Sequence, residues 1–247
     1  MSGATSKKDK IAIVIPTYNE SENILSLIKA VKKNISTGDI IVIVDDNSPD
    51  KTGKIVEKFS KKTKGIYVIH RKGKNGRGSA VLAGFKYAKK FKPTLYIEMD
   101  ADFSHKPEDI KRLVKKINEG FDVVIGSRYR KSSKIENWPP QRKIFSRMAN
   151  LFAKIILNVP ISDYTNGFRI YTEKASNFLL NQELFSKGYI LLSETAYKLN
   201  NSNFSFGEIA IVFVNRKRGQ SNTNLSEIQN AFFGVIKIRL AGRSPKN

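Results

Sequence analysis

Within the stretch Leu95-Tyr96-Ile97-Glu98-Met99-Asp100-Ala101-Asp102, a mainly apolar run ends abruptly in two carboxylates separated by one residue. A run this short, stopped by polar residues, predicts a buried strand rather than a helix. Similar runs, most of them rich in β-branched residues, occur at Ile11 to Pro16, Ile40 to Val44, Ile66 to Ile69 and Val123 to Ile125. Between them, Ile24, Leu27, Ile28 and Val31 follow the spacing i, i+3, i+4, i+7, as do Ile110, Leu113, Val114 and Ile117. Each set makes one apolar stripe suited to cover a sheet. Strand and helix in alternation predict an α/β fold with a mainly parallel central sheet, right-handed crossovers and helices on both faces. Ligands of such sheets gather beyond the carboxyl ends of the strands. That rule points to Pro16–Glu20, Asp45–Asp50, Asp100–His105 and Ser127–Arg130, each of them polar or charged.

A chain of 247 residues with 40% hydrophobic and 27% charged residues can bury a sizeable core and is expected to be globular. We divide it into a polar leader (1–10), a main domain (11–225) and an amphipathic C-terminal helix with its tail (226–247). The absence of cysteine excludes a disulfide framework, thiolate metal sites and a cysteine nucleophile. Lysine and arginine number 44 against 22 acids, and the net charge of +22 draws anionic partners: nucleic acid, anionic lipid or phosphorylated substrates. No apolar run reaches the ~18 to 20 residues of a membrane-spanning helix, and the leader does not resemble a signal peptide. A cytoplasmic location is expected, with any lipid handled from the membrane surface or through a partner.

From Arg130 to Pro140 the pattern lapses into a basic stretch ending in Trp138-Pro139-Pro140, expected to be a mobile loop. A helix should follow with Phe145, Met148, Ala149, Phe152 and Ile156 on one side. Phe206 to Val214 reads as a late strand, and Ile228 to Leu240 as a helix with Phe232, Val235, Ile236 and Leu240 in line. That helix either packs on the core or meets a bilayer.

Three strand ends carry candidate chemistry. Asp100 and Asp102 can converge on one divalent cation, since oxygen ligands suit Mg²⁺ or Mn²⁺; alternatively Asp102 or Ser104 caps the helix that starts near Pro107. Val44-Asp45-Asp46 can meet a base or ribose, or simply form a turn with Asn47-Ser48-Pro49-Asp50. Tyr18 can lie against a base and Glu20 can bind ribose, while Asn19 can cap the next helix. Gly73, Gly76 and Gly78 fit neither a Walker nor a Rossmann spacing and predict a close-packed turn before a helix over Ala80 to Ala88.

The motifs IPTYNE (15–20), VDDNSPDKT (44–52), MDADFSH (99–105), GSRY (126–129), ENWP (136–139) and DYTNGFR (163–169), in this order, resemble the family 2 glycosyltransferases of the GT-A fold, most closely the dolichol-phosphate mannose synthases. The resemblance implies that Pro16, Tyr18, Glu20, Val44 and Asp46 hold the nucleotide, with Ala101 among the donor contacts. It places Asp100, Asp102 and Ser104 at the metal, Ser104 standing where relatives often have glutamine. It also gathers Arg128, Arg142, Ser146 and Arg216 around the acceptor phosphate and donor diphosphate, with Asp102, Arg128, Arg142 and Arg216 as the catalytic set. Guanidinium forks suit that task. The chain departs from relatives at Asn222 and Ile190, where lysines stand in some of them, and Lys217 or Arg218 can supply the missing charge.

The implied reaction is inverting transfer of mannose from GDP-mannose, with Mg²⁺ or Mn²⁺, to dolichyl or another polyprenyl phosphate. The enzyme would sit peripherally on the cytosolic face of a membrane, the endoplasmic reticulum in a eukaryote or the plasma membrane in a prokaryote, with or without a small membrane-anchoring subunit. The nearest rivals use UDP-glucose on the same lipid or a soluble acceptor. A nucleic-acid-binding protein is the alternative from another class. The acids at the strand ends would repel a polyanion, so no nucleic-acid partner is expected.

Overall fold

Alternate residues of the first strand, β1 (Ile11–Thr17), face two different cores. Ala12 and Val14 join one apolar layer; Ile11, Ile13 and Ile15 join the other, as the two-residue period of a strand dictates. The structure, a computed structural model, describes residues 9–73, 76–186, 188–215 and 225–242, with side chains from 232 onward in the last segment. β1 is the third strand of a seven-stranded sheet, which comprises β2 (Ile40–Asp45), β3 (Ile66–His70), β4 (Leu95–Glu98), β5 (Val123–Ser127), β7 (Arg169–Thr172) and β8 (Phe206–Ala210). Their order is β3-β2-β1-β4-β7-β5-β8. All pairings are parallel except those of β7, which runs antiparallel to both neighbours. The mainly parallel sheet is as expected.

Helices cover both faces. α1 (Ile24–Lys32), α2 (Thr52–Ser60) and α4 (Asp109–Ile117) bury Ile24, Leu27, Ile28, Val31, Val56, Ile110, Leu113 and Ile117 on one side. On the other lie α3 (Arg77–Ala88), α5 (Pro140–Leu157), α6 (Glu173–Leu180), α7 (Ile190–Asn200) and α8 (Leu225–Ala241). Each buried aliphatic side chain contributes ~1.5–3 kcal/mol, against ~0–1 for an exposed pair such as Lys116–Glu119. The two apolar layers therefore hold the fold.

Four expectations change. The stretch from Arg130 to Pro140 is not a featureless loop: β6 (Lys134–Glu136) pairs in parallel with β9 (Val212–Val214), and Trp138 is buried edge-on against Phe213. The late strand from Phe206 to Val214 is two strands in two sheets, broken at the buried Ile211, whose N–H turns to the Ser127 carbonyl. On α5, Met148 is exposed, whereas Asn150, Ala153 and Leu157 are buried. On α8 the buried positions are Val235 and Ile238, with Ile236 and Leu240 outside. The C-terminal helix is thus part of the main body, packed on α5 and α7. Ile190, where some relatives have lysine, lies against Gly234 of α8, a contact suited to an apolar side chain. Among the described residues, no helix is long and apolar enough to cross a membrane.

Candidate active site

β1, β2 and β4 end side by side, and a cleft of about 200 Å³ opens beyond them. Seven of the expected residues line it: Pro16, Tyr18, Glu20, Asp46, Asp100, Ala101 and Asp102. The loops that present them are tied to one another. Asp45 accepts from the Ser48 hydroxyl (2.5 Å), the Ser48 amide and Thr17 Oγ1. Asp50 accepts from the Ser21 amide and the Thr52 hydroxyl, and Thr52 Oγ1 accepts from the Glu20 amide. Asn19 has a left-handed backbone (φ 58°) and serves the turn rather than capping α1, whose N-cap is Asn23.

The Asp100–Asp102 turn does not cap a helix. Asp102 accepts the Ser104 amide (3.0 Å), a local bond, and α4 begins only at Asp109 with no side-chain cap. Both aspartates instead border the cleft. The turn is braced from below by His105, which is fully buried, stacks on Phe168 and bonds Asn166 through Nε2 (2.8 Å).

Arg77, from the start of α3, also enters the cleft. Its Nε donates to Asp100 (2.6 Å), Nη1 to Glu98 (2.6 Å) and Nη2 to the Gly167 carbonyl (2.7 Å). A side chain at Gly167 would occupy the guanidinium's place, and Gly76 (φ 88°) supplies the backbone turn that aims Arg77 inward. Burial pushes the Asp100 pKa up, but Arg77, then His105 and Arg128, outweigh it and hold the carboxyl below its ordinary value.

Among the described residues, no three His, Asp or Glu side chains gather into a metal cage. Two carboxylates on an open cleft nevertheless suit Mg²⁺ or Mn²⁺, which take one or two carboxylates and complete their shell with phosphate oxygens and water. The donor set therefore fits such an ion when a nucleotide diphosphate is bound. Ser104, the expected third contact, is buried beneath the turn, and the residues that line the cleft do not include it. The Val44 side chain packs in the core, and its carbonyl accepts from Thr17 Oγ1, so any contact from this position with a nucleotide is through its backbone.

A second cluster adjoins the cleft. Arg128 is buried, with Nε and Nη2 donating to the two oxygens of Asp163 (2.8 and 2.7 Å) and Nη2 also to Thr165. Its Nε and Nη2 are thus engaged inside the protein, and Asp163 balances much of its charge. Arg142 stacks over Trp138 at 4.1 Å, and Ser146 accepts from the Tyr129 hydroxyl (2.6 Å). The buried Trp138 indole N–H meets no acceptor among the described residues. Arg216, Lys217, Arg218 and Asn222 lie outside the described residues.

Strand ends alone did not reveal Arg77, Tyr189 and Gly76 in the cleft, or Asp163 as the partner of Arg128. A charged residue set between Gly76 and Gly78 at a helix start was the available signal for Arg77. Nothing local marks Tyr189.

An open, mainly parallel sheet with an acid-lined cleft across the ends of β1, β2 and β4 defines the class of GT-A glycosyltransferases. The backbone is similar over 97% of this chain to glucosyl-3-phosphoglycerate synthase from Mycobacterium tuberculosis, solved with Mn²⁺, UDP and glucosyl-3-phosphoglycerate (TM-score 0.66, 18% identity, 81% of that chain). The chain belongs to glycosyl transferase family 2, which it matches over residues 12–180. It is 36% identical over 232 residues to polyprenol monophosphomannose synthase of Mycolicibacterium smegmatis, covering 94% of this chain and 87% of that protein. It is 32% identical to undecaprenyl-phosphate mannosyltransferase of Micrococcus luteus (95% and 96% covered) and 36% identical to dolichol-phosphate mannosyltransferase of Pyrococcus furiosus (86% and 58% covered).

Proposed function

We propose that this chain transfers mannose from GDP-mannose to a polyprenyl phosphate such as dolichyl phosphate, with inversion. The observation that carries the proposal is that Arg128, near enough to Asp100 to lower its pKa, lies 5.5 Å from the Trp138 ring over which Arg142 stacks, so a basic corner borders the Asp100–Asp102 cleft. The names of the three relatives support mannose and a lipid phosphate.

Tyr18 and Glu20 flank the base and ribose, and Asp46 approaches the same nucleoside from β2. Asp100 and Asp102 would hold the divalent cation, which would supply positive charge to offset that on the departing diphosphate. Arg142 and the Ser146 hydroxyl orient the acceptor phosphate, with Arg128 and Arg216 completing the set. One acceptor oxygen attacks the anomeric carbon as the bond from that carbon to the diphosphate breaks, so GDP leaves with the electron pair and the product is β-linked. A phosphate monoester is already anionic near neutral pH, so no general base is needed. A bilayer-borne acceptor calls for a peripheral position on the cytosolic face, with or without a small membrane subunit.

UDP-glucose is the second donor to test, because the similar solved structure holds UDP. Purified protein is incubated with labelled GDP-mannose or UDP-glucose, Mg²⁺ or Mn²⁺ and a short polyprenyl phosphate, and the lipid is extracted. Label should enter from GDP-mannose, vanish with EDTA and fall by roughly two orders of magnitude or more in Asp102→Ala. Label only from UDP-glucose, or transfer that survives loss of both aspartates, would falsify the proposal.

A further inference from the structure

Four acids line the cleft, Glu20, Asp46, Asp100 and Asp102, and among the described residues a single cation does so, Arg77. A nucleoside diphosphate that enters is repelled by every charged lining residue but that one. Arg71 and Arg128 do not line the cleft, and they are paired with Asp46 (3.0 Å) and Asp163 (2.7 Å). Among the described residues, the positive charge that meets phosphate oxygens inside the cleft is therefore that of Arg77.

Arg77 also has donors to spare. A guanidinium carries five N–H groups. Three are engaged, by Asp100, Glu98 and the Gly167 carbonyl, and two remain. The side chain is 14% exposed and lines the cleft. Its engaged donors fix the plane of the fork, because Glu98 is buried and held in turn by the Tyr171 hydroxyl (2.6 Å). A group already held in place offers its remaining N–H groups at little further cost in entropy. Arg77 also balances Asp100, so the carboxylate closest to it repels an incoming anion less. A brace between two carboxylates needs no N–H groups left over beside a cleft; a phosphate-binding fork does.

We infer that Arg77 is a donor-binding residue whose two remaining N–H groups take diphosphate oxygens, so that the chain holds a nucleoside diphosphate without a divalent cation. The inference rests on the nucleotide donor proposed above and adds the residue that receives its charged end.

Ligand-observed NMR titrations of the full chain in EDTA compare GDP with guanosine, which shares the base and ribose but has no phosphate. The wild type should bind GDP at least roughly tenfold more tightly than guanosine. Arg77→Met should weaken GDP roughly 10- to 100-fold and leave guanosine within roughly threefold of the wild type. If Arg77→Met folds poorly because Glu98 is left without its cation, Arg77→Met combined with Glu98→Gln removes that charge and keeps an acceptor for Tyr171. The double variant should show the same contrast. Wild-type binding of GDP that is no tighter than guanosine until Mg²⁺ is added overturns the inference. So does GDP binding that the folded variants leave unchanged, or an equal weakening of GDP and guanosine, the mark of a brace that only shapes the cleft. UDP and uridine are titrated alongside. A phosphate gain that depends on Arg77 but occurs with the uracil pair alone would count against GDP-mannose as the donor and leave the role of Arg77 standing.

Discussion

Arg77 satisfies two carboxylates and a carbonyl with one guanidinium, and all three acceptors lie far from it in sequence. Removing it leaves Glu98 and Asp100 without their shared cation. For a largely buried pair that costs ~3–5 kcal/mol, well beyond the ~0–1 of a surface bridge. Arg77→Met, which keeps the stem but not the charge, should therefore lower stability in urea unfolding by about that amount. The same change releases an Asp100 oxygen and removes a positive charge beside the proposed cation site. Mn²⁺ titrated against folded Arg77→Met, with free metal read by electron paramagnetic resonance, should bind on the order of tenfold more tightly. Weaker binding would mean that Arg77 presents Asp100 to the ion rather than competing with it. At this scale Asp100 and Asp102 were legible because an apolar strand ending in carboxylates needs a reason. Arg77 was not, because a residue between two glycines discloses nothing about partners that only the closed sheet brings to it.

The Arg128–Asp163 pair joins the end of β5 to the segment that leads into β7, two elements whose contact the sequence does not announce. Burial works to raise the Asp163 pKa, but Arg128 and the amides of Arg128 and Thr165 overcome it and hold the carboxyl below its ordinary value. The folded state thus binds fewer protons at this site than the unfolded chain. Its stabilisation is fully present above about pH 4, the unfolded value, and is lost as pH falls through the folded one. Asp163→Asn should cost ~3–5 kcal/mol at pH 7 by leaving Arg128 uncompensated. The gap from the wild type should narrow toward pH 3 in urea titrations run across that range; a constant gap would assign the loss to packing. The parallel core, β1 to β5, was legible from its brief apolar runs. β7 was not: its four residues open with Arg169, which reads as a surface charge until its bonds to the carbonyls of Tyr164, Asn166 and Leu192 are seen. β6 escaped, and β9 was read as a continuation of β8, for a related reason, since three-residue strands become separate strands only through each other.

At the scale of the whole molecule, the cleft and the outer face of α5 and α8 differ in the sign of the charge that predominates. Glu20, Asp46, Asp100 and Asp102 border the cleft, while Lys143, Arg147, Lys154 and Lys237 edge the apolar face of α5 and α8. A chain of net charge +22 therefore presents a cleft, the proposed donor site, whose four acids outnumber its arginine, within a basic exterior. The two respond differently to salt. Attraction of the exterior to anionic lipid, ~1 kcal/mol per well-placed basic residue, acts over a Debye length of ~10 Å at 0.1 M salt that shrinks to ~3 Å at 1 M. Contacts within the cleft act at hydrogen-bond distance and are screened far less. Raising NaCl from about 0.05 M to about 0.5 M should therefore raise KM for an acceptor carried in anionic vesicles by roughly tenfold or more. Over the same range, KM for GDP-mannose with a short acceptor in detergent should change by no more than roughly threefold. Steady-state transfer measured with both acceptor forms separates the two. Equal salt dependence in vesicles and detergent would locate the screened charges at the donor site and deny the exterior its part in reaching lipid.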